Sequence, residues 1–404
     1  MSMFKNGVLV IAVFSLSFGH LFAQRNNAPV IAGQDDDQRP ITTAVPFITF
    51  APDARGASLG DAGVATSPDI GSIHWNNAKL AFIDNDYGFS VSYTPWLGKI
   101  VNDMFVSYLS GYKRIDKLQT VGVSLRYFDL GDVFLTNELG IDQGSFNPRE
   151  WAIDATYSRK LNNNLSLGLT TRFISSNLSG PLSNTADSKT GTSVAVDLGV
   201  FYTKDILLSG KNATVAFGGH ISNFGSKVTY SSTSNEDFIP TNLRLGTALK
   251  MNVDPYNSFT FVFDMNKLMV PTPPVTEQDD DGNIVVVAGR DPDGLSLLSG
   301  VFGSFGDAPG GFSEEMKELT FSTGAEYWYK DIAAFRAGYF NEHRDKGNRK
   351  FITFGLGFRY QVFGVDFAYL IPTEQNHPLA ETLRLTLLFN FLKPETSNTD
   401  LDNL

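Results

Sequence analysis

The chain contains no cysteine among its 404 residues. That absence excludes thiol nucleophiles, thiolate metal sites and disulfide bonds. After its first few dozen residues the chain also lacks any apolar run of about 20 residues, the length that a membrane-spanning helix requires. Basic side chains are scarcer than acidic ones, with 32 Lys and Arg against 43 Asp and Glu. Because phosphate binding requires a basic surface, the net charge of −11 argues against nucleic acid as a partner.

The chain is rich instead in aromatic residues and glycine, with 33 Phe, 14 Tyr and 37 Gly. Residues 379–391 show how these are arranged: odd-numbered positions are apolar apart from Glu381, and even-numbered positions include Thr382, Arg384 and Asn390. A period of two predicts a strand with one apolar face and one polar face. Aromatic, glycine-rich alternation without spanning helices is typical of an outer-membrane β-barrel.

The same alternation recurs along most of the chain after Asn85. It predicts strands at 87–95, 101–112, 118–130, 149–160, 165–178, 192–203, 213–224, 239–251, 258–270, 318–329, 333–340, 350–360, 362–371 and 379–391. An even number of antiparallel strands can close without leaving an open edge. We therefore predict an all-β protein, a transmembrane outer-membrane β-barrel of fourteen antiparallel strands.

The lengths of the connections support this prediction independently. In such barrels the external loops are longer than the periplasmic turns, so long and short connections should alternate. Short turns fall at 162–164, 330–332 and 361, after even-numbered strands. The long connections at 131–148, 179–191, 225–238 and 271–317 follow odd-numbered strands. Random errors in strand prediction would not sort connection lengths in this way.

The N-terminal region predicts the compartment. Lys5, an apolar stretch at 8–18 and a small residue at Ala23 indicate a secretory signal peptide at 1–23. Residues 24–44 are polar and aperiodic, so we expect a flexible arm. From residue 45 to 85 small residues are frequent, which suits either a segment packed closely against other backbone or a glycine-rich loop. The barrel then occupies 86–392, with a long external loop at 271–317, and a short tail follows at 393–404.

Enzymatic chemistry has little support in the sequence. His220 and Ser222 share one face of a predicted strand, but no orienting acid or amide is identifiable, so no catalytic residue is predicted. Acidic residues at 277–281 resemble part of a calcium loop, yet Ala288 stands where a bidentate Glu is needed. We predict no metal and no cofactor. Charges of both signs fall on the inward register, and we expect them to line a polar wall that holds a packed segment rather than a selective ion path.

The loop at 271–317 is too long to be only a connector. Its first half is acidic, and its second half is apolar and then rich in turn residues. Apolar side chains on an external loop either fold back into the lumen or meet another protein, because a large exposed apolar patch is a liability. Both alternatives stay open at this stage.

Three stretches resemble a known family. Residues 52–63 read PDARGASLGDAG, residues 75–78 read WNNA, and the loop at 307–315 reads DAPGGFSEE. Together they are similar to PorV, an outer-membrane component of the type IX secretion system, which is similar in turn to the FadL long-chain fatty-acid transporters. The resemblance implies a FadL-like barrel with an N-terminal hatch inside the lumen. The hatch residues that match the motif are Asp53, Arg55, Gly56, Gly60, Asp61, Gly63, Trp75, Asn76 and Asn77.

The resemblance also implies a non-enzymatic role in protein secretion. Members of the family bind the C-terminal signal domains of secreted cargo, dock on the SprA translocon barrel and deliver cargo to the cell-surface attachment complex, while outer-membrane lipid surrounds them. The expected partner-binding residues lie on the long external loop: Phe302, Phe305, Asp307, Ala308, Pro309, Gly310, Gly311, Phe312, Glu314 and Glu315. The alternative is a FadL-like transporter of hydrophobic small molecules such as long-chain fatty acids.

Overall fold

A computed structural model describes residues 39–97, 103–136, 139–178, 189–231, 236–373 and 382–392. The predicted signal peptide at 1–23, the predicted arm up to residue 38 and the predicted tail at 393–404 lie outside the described residues. So do residues 379–381 at the start of the last predicted strand.

The dominant element is a closed antiparallel barrel of fourteen strands, each paired with its neighbours along the chain. Two short hairpins, β4–β5 and β12–β13, stand outside it. The strands are β1 (Tyr87–Pro95), β2 (Phe105–Arg114), β3 (Gln119–Asp129), β4 (Val133–Thr136), β5 (Asp142–Phe146), β6 (Arg149–Lys160), β7 (Leu165–Asn177), β8 (Gly191–Leu208), β9 (Lys211–Gly225), β10 (Asn242–Asp254), β11 (Asn257–Leu268), β12 (Val275–Gln278), β13 (Ile284–Ala288), β14 (Leu319–Tyr329), β15 (Ala333–Asn341), β16 (Lys350–Tyr360), β17 (Phe363–Pro372) and β18 (Leu383–Phe391). The prediction of fourteen antiparallel strands is confirmed.

The alternation of apolar and polar residues along each strand corresponds to an alternation of exposed and buried side chains. Along β7, Leu169 and Phe173 are exposed on the outer wall, whereas Thr170 and Arg172 face inward and are buried. The antiparallel register sets Asp154 of β6 opposite Arg172, so complementary charges face the interior as a pair. The outer wall is therefore apolar and the inner wall polar, as membrane barrels require.

The connections sort by length at the two ends of the barrel. The turn between β8 and β9 consists of Ser209 and Gly210, both at positive φ (51° and 77°), as a two-residue hairpin requires. Connections of two to four residues follow β2, β6, β8, β10, β14 and β16 and define the short-turn end, while the longer connections define the long-connection end.

The long connections carry structure that alternation did not predict. Besides the two short hairpins, the connection between β11 and β14 contains helices α3 (Leu297–Gly303) and α4 (Phe312–Lys317). A 3₁₀ helix, Arg344–Lys346, lies between β15 and β16. None of the helices in the described residues has the length and apolar character needed to cross a bilayer.

The chain before β1 forms what we call the inner segment, residues 46–83. It comprises a 3₁₀ helix (Pro46–Thr49), α1 (Ala54–Ser58), α2 (Ser72–Trp75) and a second 3₁₀ helix (Asn77–Phe82). Helix α1 contacts β15 to β18, and the second 3₁₀ helix contacts β3 and β6 to β8. Because inward-facing side chains on both sides of the barrel hold it, the inner segment is almost wholly buried.

Candidate functional site

Arg55 of α1 anchors the inner segment to the barrel wall. Its guanidinium forms two hydrogen bonds with Glu326 of β14, at 3.0 and 2.8 Å, and a third with Asp69 at 2.6 Å. Glu326 also accepts from Arg336, which reaches Asp366 on β17. This buried chain of alternating charges leaves no charge without a partner, which is the condition under which buried ions are tolerated.

Trp75 explains the small residues of the motif. Its indole Nε1–H donates to Asp53 at 2.6 Å, and the other carboxylate oxygen of Asp53 caps α1 through the Gly56 N–H. A Cβ at Gly56 or at Gly63 would overlap the indole ring. The two glycines therefore leave the space that the ring occupies.

Position 60 requires glycine for two reasons, its positive φ and the close approach of another backbone. Its φ is +73°, and an added Cβ would come within 2.6 Å of the Tyr339 backbone on β15. The next residue, Asp61, points instead toward an open space, with a quarter of its side chain exposed (25%). Gly60 thus contacts the barrel wall, whereas Asp61 lines a cavity.

Asn76 and Asn77 hold the C-terminal part of the inner segment through hydrogen bonds from their side-chain amides. Asn76 donates to the carbonyls of Val64 and Val200, and Asn77 donates to Thr170 and to the Asp197 carbonyl. All nine predicted hatch residues therefore belong to one buried network or border the cavity next to it.

Two members of this network were not predicted from the sequence. Lys79 is fully buried and donates to the Gly63 carbonyl at 2.5 Å and to Thr66 at 2.8 Å. Asp264 of β11 accepts from the backbone N–H groups of Gly63 and Val64. Asp264 is one of the charged residues on the inward register of the predicted strands, but no sequence signal paired it with the segment at 45–85.

The predicted partner-binding residues divide by exposure. Phe302, Phe305 and Phe312 expose 63%, 49% and 80% of their surface, and Gly310 and Gly311 are exposed beside them. Pro309 is half-buried. These residues present an apolar surface at the long-connection end. Phe305 and Phe312 border a groove on the outside of the barrel together with Leu245, and the Lys267 ammonium lies 5.7 Å from the centroid of the Phe305 ring.

The other four predicted residues are buried and hold the loop in place. Asp307 accepts from the Thr272 N–H at 3.4 Å, and the Ala308 N–H donates to Glu315 at 2.9 Å. Asp307, Ala308, Glu314 and Glu315 expose less than a tenth of their surface. In this conformation they hold the loop that carries the exposed phenylalanines, and their binding to a partner stays a prediction.

A group of six charged residues, which we call the mouth cluster, stabilises the long-connection end. Its members are Arg39, Lys267, Glu314, Glu315, Glu318 and Lys346. Lys267 lies 2.9 Å from Glu315 and 2.6 Å from Glu318, and Lys346 lies 2.7 Å from Glu314. The cluster joins α4 to β11 and to the 3₁₀ helix before β16.

Arg39 ties the chain before the inner segment to this cluster. Its guanidinium binds Glu314 through two hydrogen bonds, at 3.1 and 2.8 Å, and its backbone N–H donates to the Asp345 carbonyl. Burial opposes ionisation of Glu314, but hydrogen bonds from Arg39 and Lys346 outweigh it and lower the pKa of this carboxyl to about 2. Within the predicted arm, residues 39–44 are thus attached.

These features define a class of protein: a closed fourteen-stranded membrane-type barrel whose N-terminal segment packs against its inner wall. A comparison with family models identifies the particular family, because residues 33–275 match the model described as "Type IX secretion system protein PorV". The chain belongs to the PorV family and is an outer-membrane component of the type IX secretion system.

Other comparisons add little beyond this. A search of the curated proteins found no match to the sequence. Among solved structures, the chain is similar to the Pseudomonas putida toluene transporter TodX, with a TM-score of 0.48 and 11% identity, covering 85% of this chain and 100% of that one. It is also similar to the Ralstonia pickettii toluene transporter TbuX, with a TM-score of 0.45, 11% identity and coverage of 85% and 100%. Likenesses this distant carry no argument about function.

Proposed function

We propose that this protein binds the C-terminal signal domain of secreted cargo, docks on the SprA translocon barrel and passes the cargo to the cell-surface attachment complex. On this proposal the long-connection end faces outward, the inner segment is a hatch that closes the barrel, and no chemical step is catalysed. Membership of the PorV family supports a role in type IX secretion. The observation that carries the contact surface is the exposed apolar group Phe302, Phe305 and Phe312.

The loop holds these three phenylalanines in a defined position. Exposed aromatic side chains on a mobile loop would collapse onto the nearest apolar surface. Here the mouth cluster and the Thr272–Asp307 contact fix the loop on both sides, so that the rings stay outward. Aromatic anchors on a preorganised surface are characteristic of protein interfaces, because little side-chain entropy is lost on binding.

The first test is a strain that lacks this gene. We expect its medium and cell surface to lose proteins that carry the type IX C-terminal signal, while the translocon barrel itself remains assembled. Quantitative proteomics of both fractions measures this. An unchanged secreted proteome would overturn the proposed function.

A loop variant tests the contact surface separately. We expect Phe302→Ser, Phe305→Ser and Phe312→Ser together to abolish secretion of signal-bearing proteins with the barrel still folded. The matched control is Ile284→Ser, Val285→Ser and Val287→Ser, because these side chains on β13 are also exposed and lie on the same connection. Equal loss in both triple variants would mean that the phenylalanines are not the contact.

Transport of a hydrophobic small molecule is the second candidate. One observation favours it, a cavity of about 420 Å³ beside the inner segment at the long-connection end. The buried charge network around Arg55 and Glu326 opposes it, because an apolar molecule crossing there would have to separate paired ions. Uptake of a long-chain fatty acid by the deletion strain distinguishes the two: normal uptake with failed secretion supports the first candidate, and the reverse supports the second.

A further inference from the structure

The cavity beside the inner segment combines apolar walls with buried cations. Its lining includes the aromatic side chains of Phe50, Trp75 and Phe340, and two arginines on opposite parts of the barrel, Arg244 of β10 and Arg384 of β18. Its volume of about 420 Å³ lies within the range of pockets that hold small ligands. Both arginines are more than nine-tenths buried.

Arg384 is poorly satisfied within the protein. Its one ion pair in the described residues is with Asp61, at 3.5 Å, which is long for a hydrogen bond. Its Nε–H has no acceptor among the described atoms. A buried guanidinium has five N–H donors, and leaving them without acceptors costs free energy. Arg384 thus has hydrogen-bonding capacity to spare beside the cavity.

The second arginine, Arg244, packs against an aromatic ring. Its guanidinium lies over the Trp75 ring, 5.2 Å from the centroid, and no carboxylate of the described residues forms an ion pair with it. Its remaining contact is the Nε2 of His74 at 3.4 Å, while Arg126 approaches the Nδ1 of the same ring at 3.0 Å. A neutral imidazole has one acceptor nitrogen, so it satisfies one of these arginines, and the shorter distance assigns it to Arg126.

Asp61 lines the same cavity and is the carboxylate that pairs with Arg384 in the described residues. The third arginine of the lining, Arg349, differs, because Glu342 binds it through two hydrogen bonds at 2.8 and 2.7 Å. Arg244 and Arg384 therefore line the cavity with N–H groups that Asp61 satisfies only in part. A bound anion would accept these N–H groups.

We propose that this cavity is a binding site for a carboxylate on an apolar or aromatic body, with Arg244 and Arg384 as its anion-binding residues. The planar fork of a guanidinium matches a carboxylate, and the rings of Phe50, Trp75 and Phe340 cover the apolar part. The carboxylate can belong to a free organic acid or to the C-terminal residue of a polypeptide. The proposal rests on the cavity that supports the second candidate function. Binding there does not require the ligand to cross the barrel, so a failure of uptake and a failure of binding are distinguishable.

The test compares matched ligands on the purified full-length protein in detergent. The free-acid probe is 4-phenylbutyrate and its neutral partner is 4-phenylbutanol. The peptide probe is a hexapeptide ending in phenylalanine, offered with a free C-terminal carboxylate or as the amide. We expect the carboxylate member of at least one pair to bind about tenfold more tightly than its neutral partner by calorimetry, as loss of a charge-assisted hydrogen bond predicts.

Variants then locate the binding. Arg244→Met and Arg384→Met keep the length of the side chain and remove its charge, and each should weaken carboxylate binding about tenfold. Arg359→Met is the control, because Arg359 also faces inward but pairs with Asp366 near the short-turn end, away from the cavity. The heat-dependent shift in gel mobility of folded barrels checks that each variant is folded.

The ligand preferences distinguish a polypeptide C-terminus from a free organic acid. Preference for the peptide carboxylate alone assigns the site to a polypeptide C-terminus, and preference for 4-phenylbutyrate alone assigns it to a free acid. Equal binding of charged and neutral partners in both pairs would overturn the proposal, and so would no binding of any probe. These ligand comparisons use the unmodified protein, so the result stands even if a variant fails to fold.

Discussion

At the scale of single residues, the buried ion pairs carry the largest consequences. Glu326 accepts from both Arg55 and Arg336, and its side chain is 1% exposed. Without Glu326, the buried Arg55 and Arg336 each lose one carboxylate partner and keep only Asp69 and Asp366, respectively. Breaking a buried ion pair in this way costs about 3–5 kcal/mol. We therefore expect Glu326→Ala to lower the free energy of unfolding by about that amount, measured by denaturant titration of the purified barrel. Glu277→Ala, at an exposed position on β12, should have no effect; an equal effect of both would refute the network.

The glycines around Trp75 allow a second residue-scale prediction in which two effects oppose each other. Alanine at Gly56 would favour helix α1 by up to about 1 kcal/mol. Its methyl group would overlap the Trp75 ring, which Asp53 and Gly63 hold in place, and overpacking of this kind costs about 1–3 kcal/mol. We expect Gly56→Ala to be destabilising in the same titration. Gly306→Ala, where an added Cβ meets nothing within 4 Å, should be neutral or stabilising, and a stabilised Gly56→Ala would contradict this packing.

At the scale of elements, the attachment of residues 39–44 should depend on pH. The folded-state pKa of Glu314, at about 2, lies below the ordinary value of 4.5, so its stabilising contribution is fully present above pH 4.5 and is lost as the pH falls through 2. Since the chain has no cysteine, Thr43→Cys accepts a single spin label. We expect label mobility to rise between pH 4.5 and pH 2. In Glu314→Gln the label should be mobile throughout, and a pH response unchanged by that substitution would exclude Glu314 as the cause.

Among the elements, the strands could be predicted from the sequence pattern, but the short helices could not. The bounds of β1, β6 and β16 agree with the alternation to the residue, because each strand has a lipid-facing and an inward-facing side. Helices α3 and α4 were missed because they are short and are held by contacts with residues distant in sequence. Gly300 of α3 lies against Phe238, and α4 depends on the mouth cluster. The motif residues could be named from the resemblance, but their roles needed the fold: nothing at Gly63 indicates that Trp75 fills the space beside it.

At the scale of the whole molecule, the barrel closes where β1 pairs with β18. Ser92 lies opposite Thr386 in that register, and their hydroxyl oxygens are 2.8 Å apart. Oxidation of Ser92→Cys with Thr386→Cys should therefore form a disulfide across the seam, seen as altered mobility of the denatured protein without reductant. Ser92→Cys with Thr353→Cys is the control, because β16 is three strands from β1 and the side chains are too far apart to bridge.

The disulfide between β1 and β18 also tests how the protein takes part in secretion. If it offers an outer surface to cargo and translocon, no substrate passes through its wall, and locking β1 to β18 should leave secretion of signal-bearing proteins unchanged. The reduced double variant is the reference, because replacing Thr386 also removes the acceptor for the Ala54 N–H. A loss of secretion that appears on oxidation and disappears on reduction would mean that the wall opens at this seam, and would replace surface docking with lateral passage.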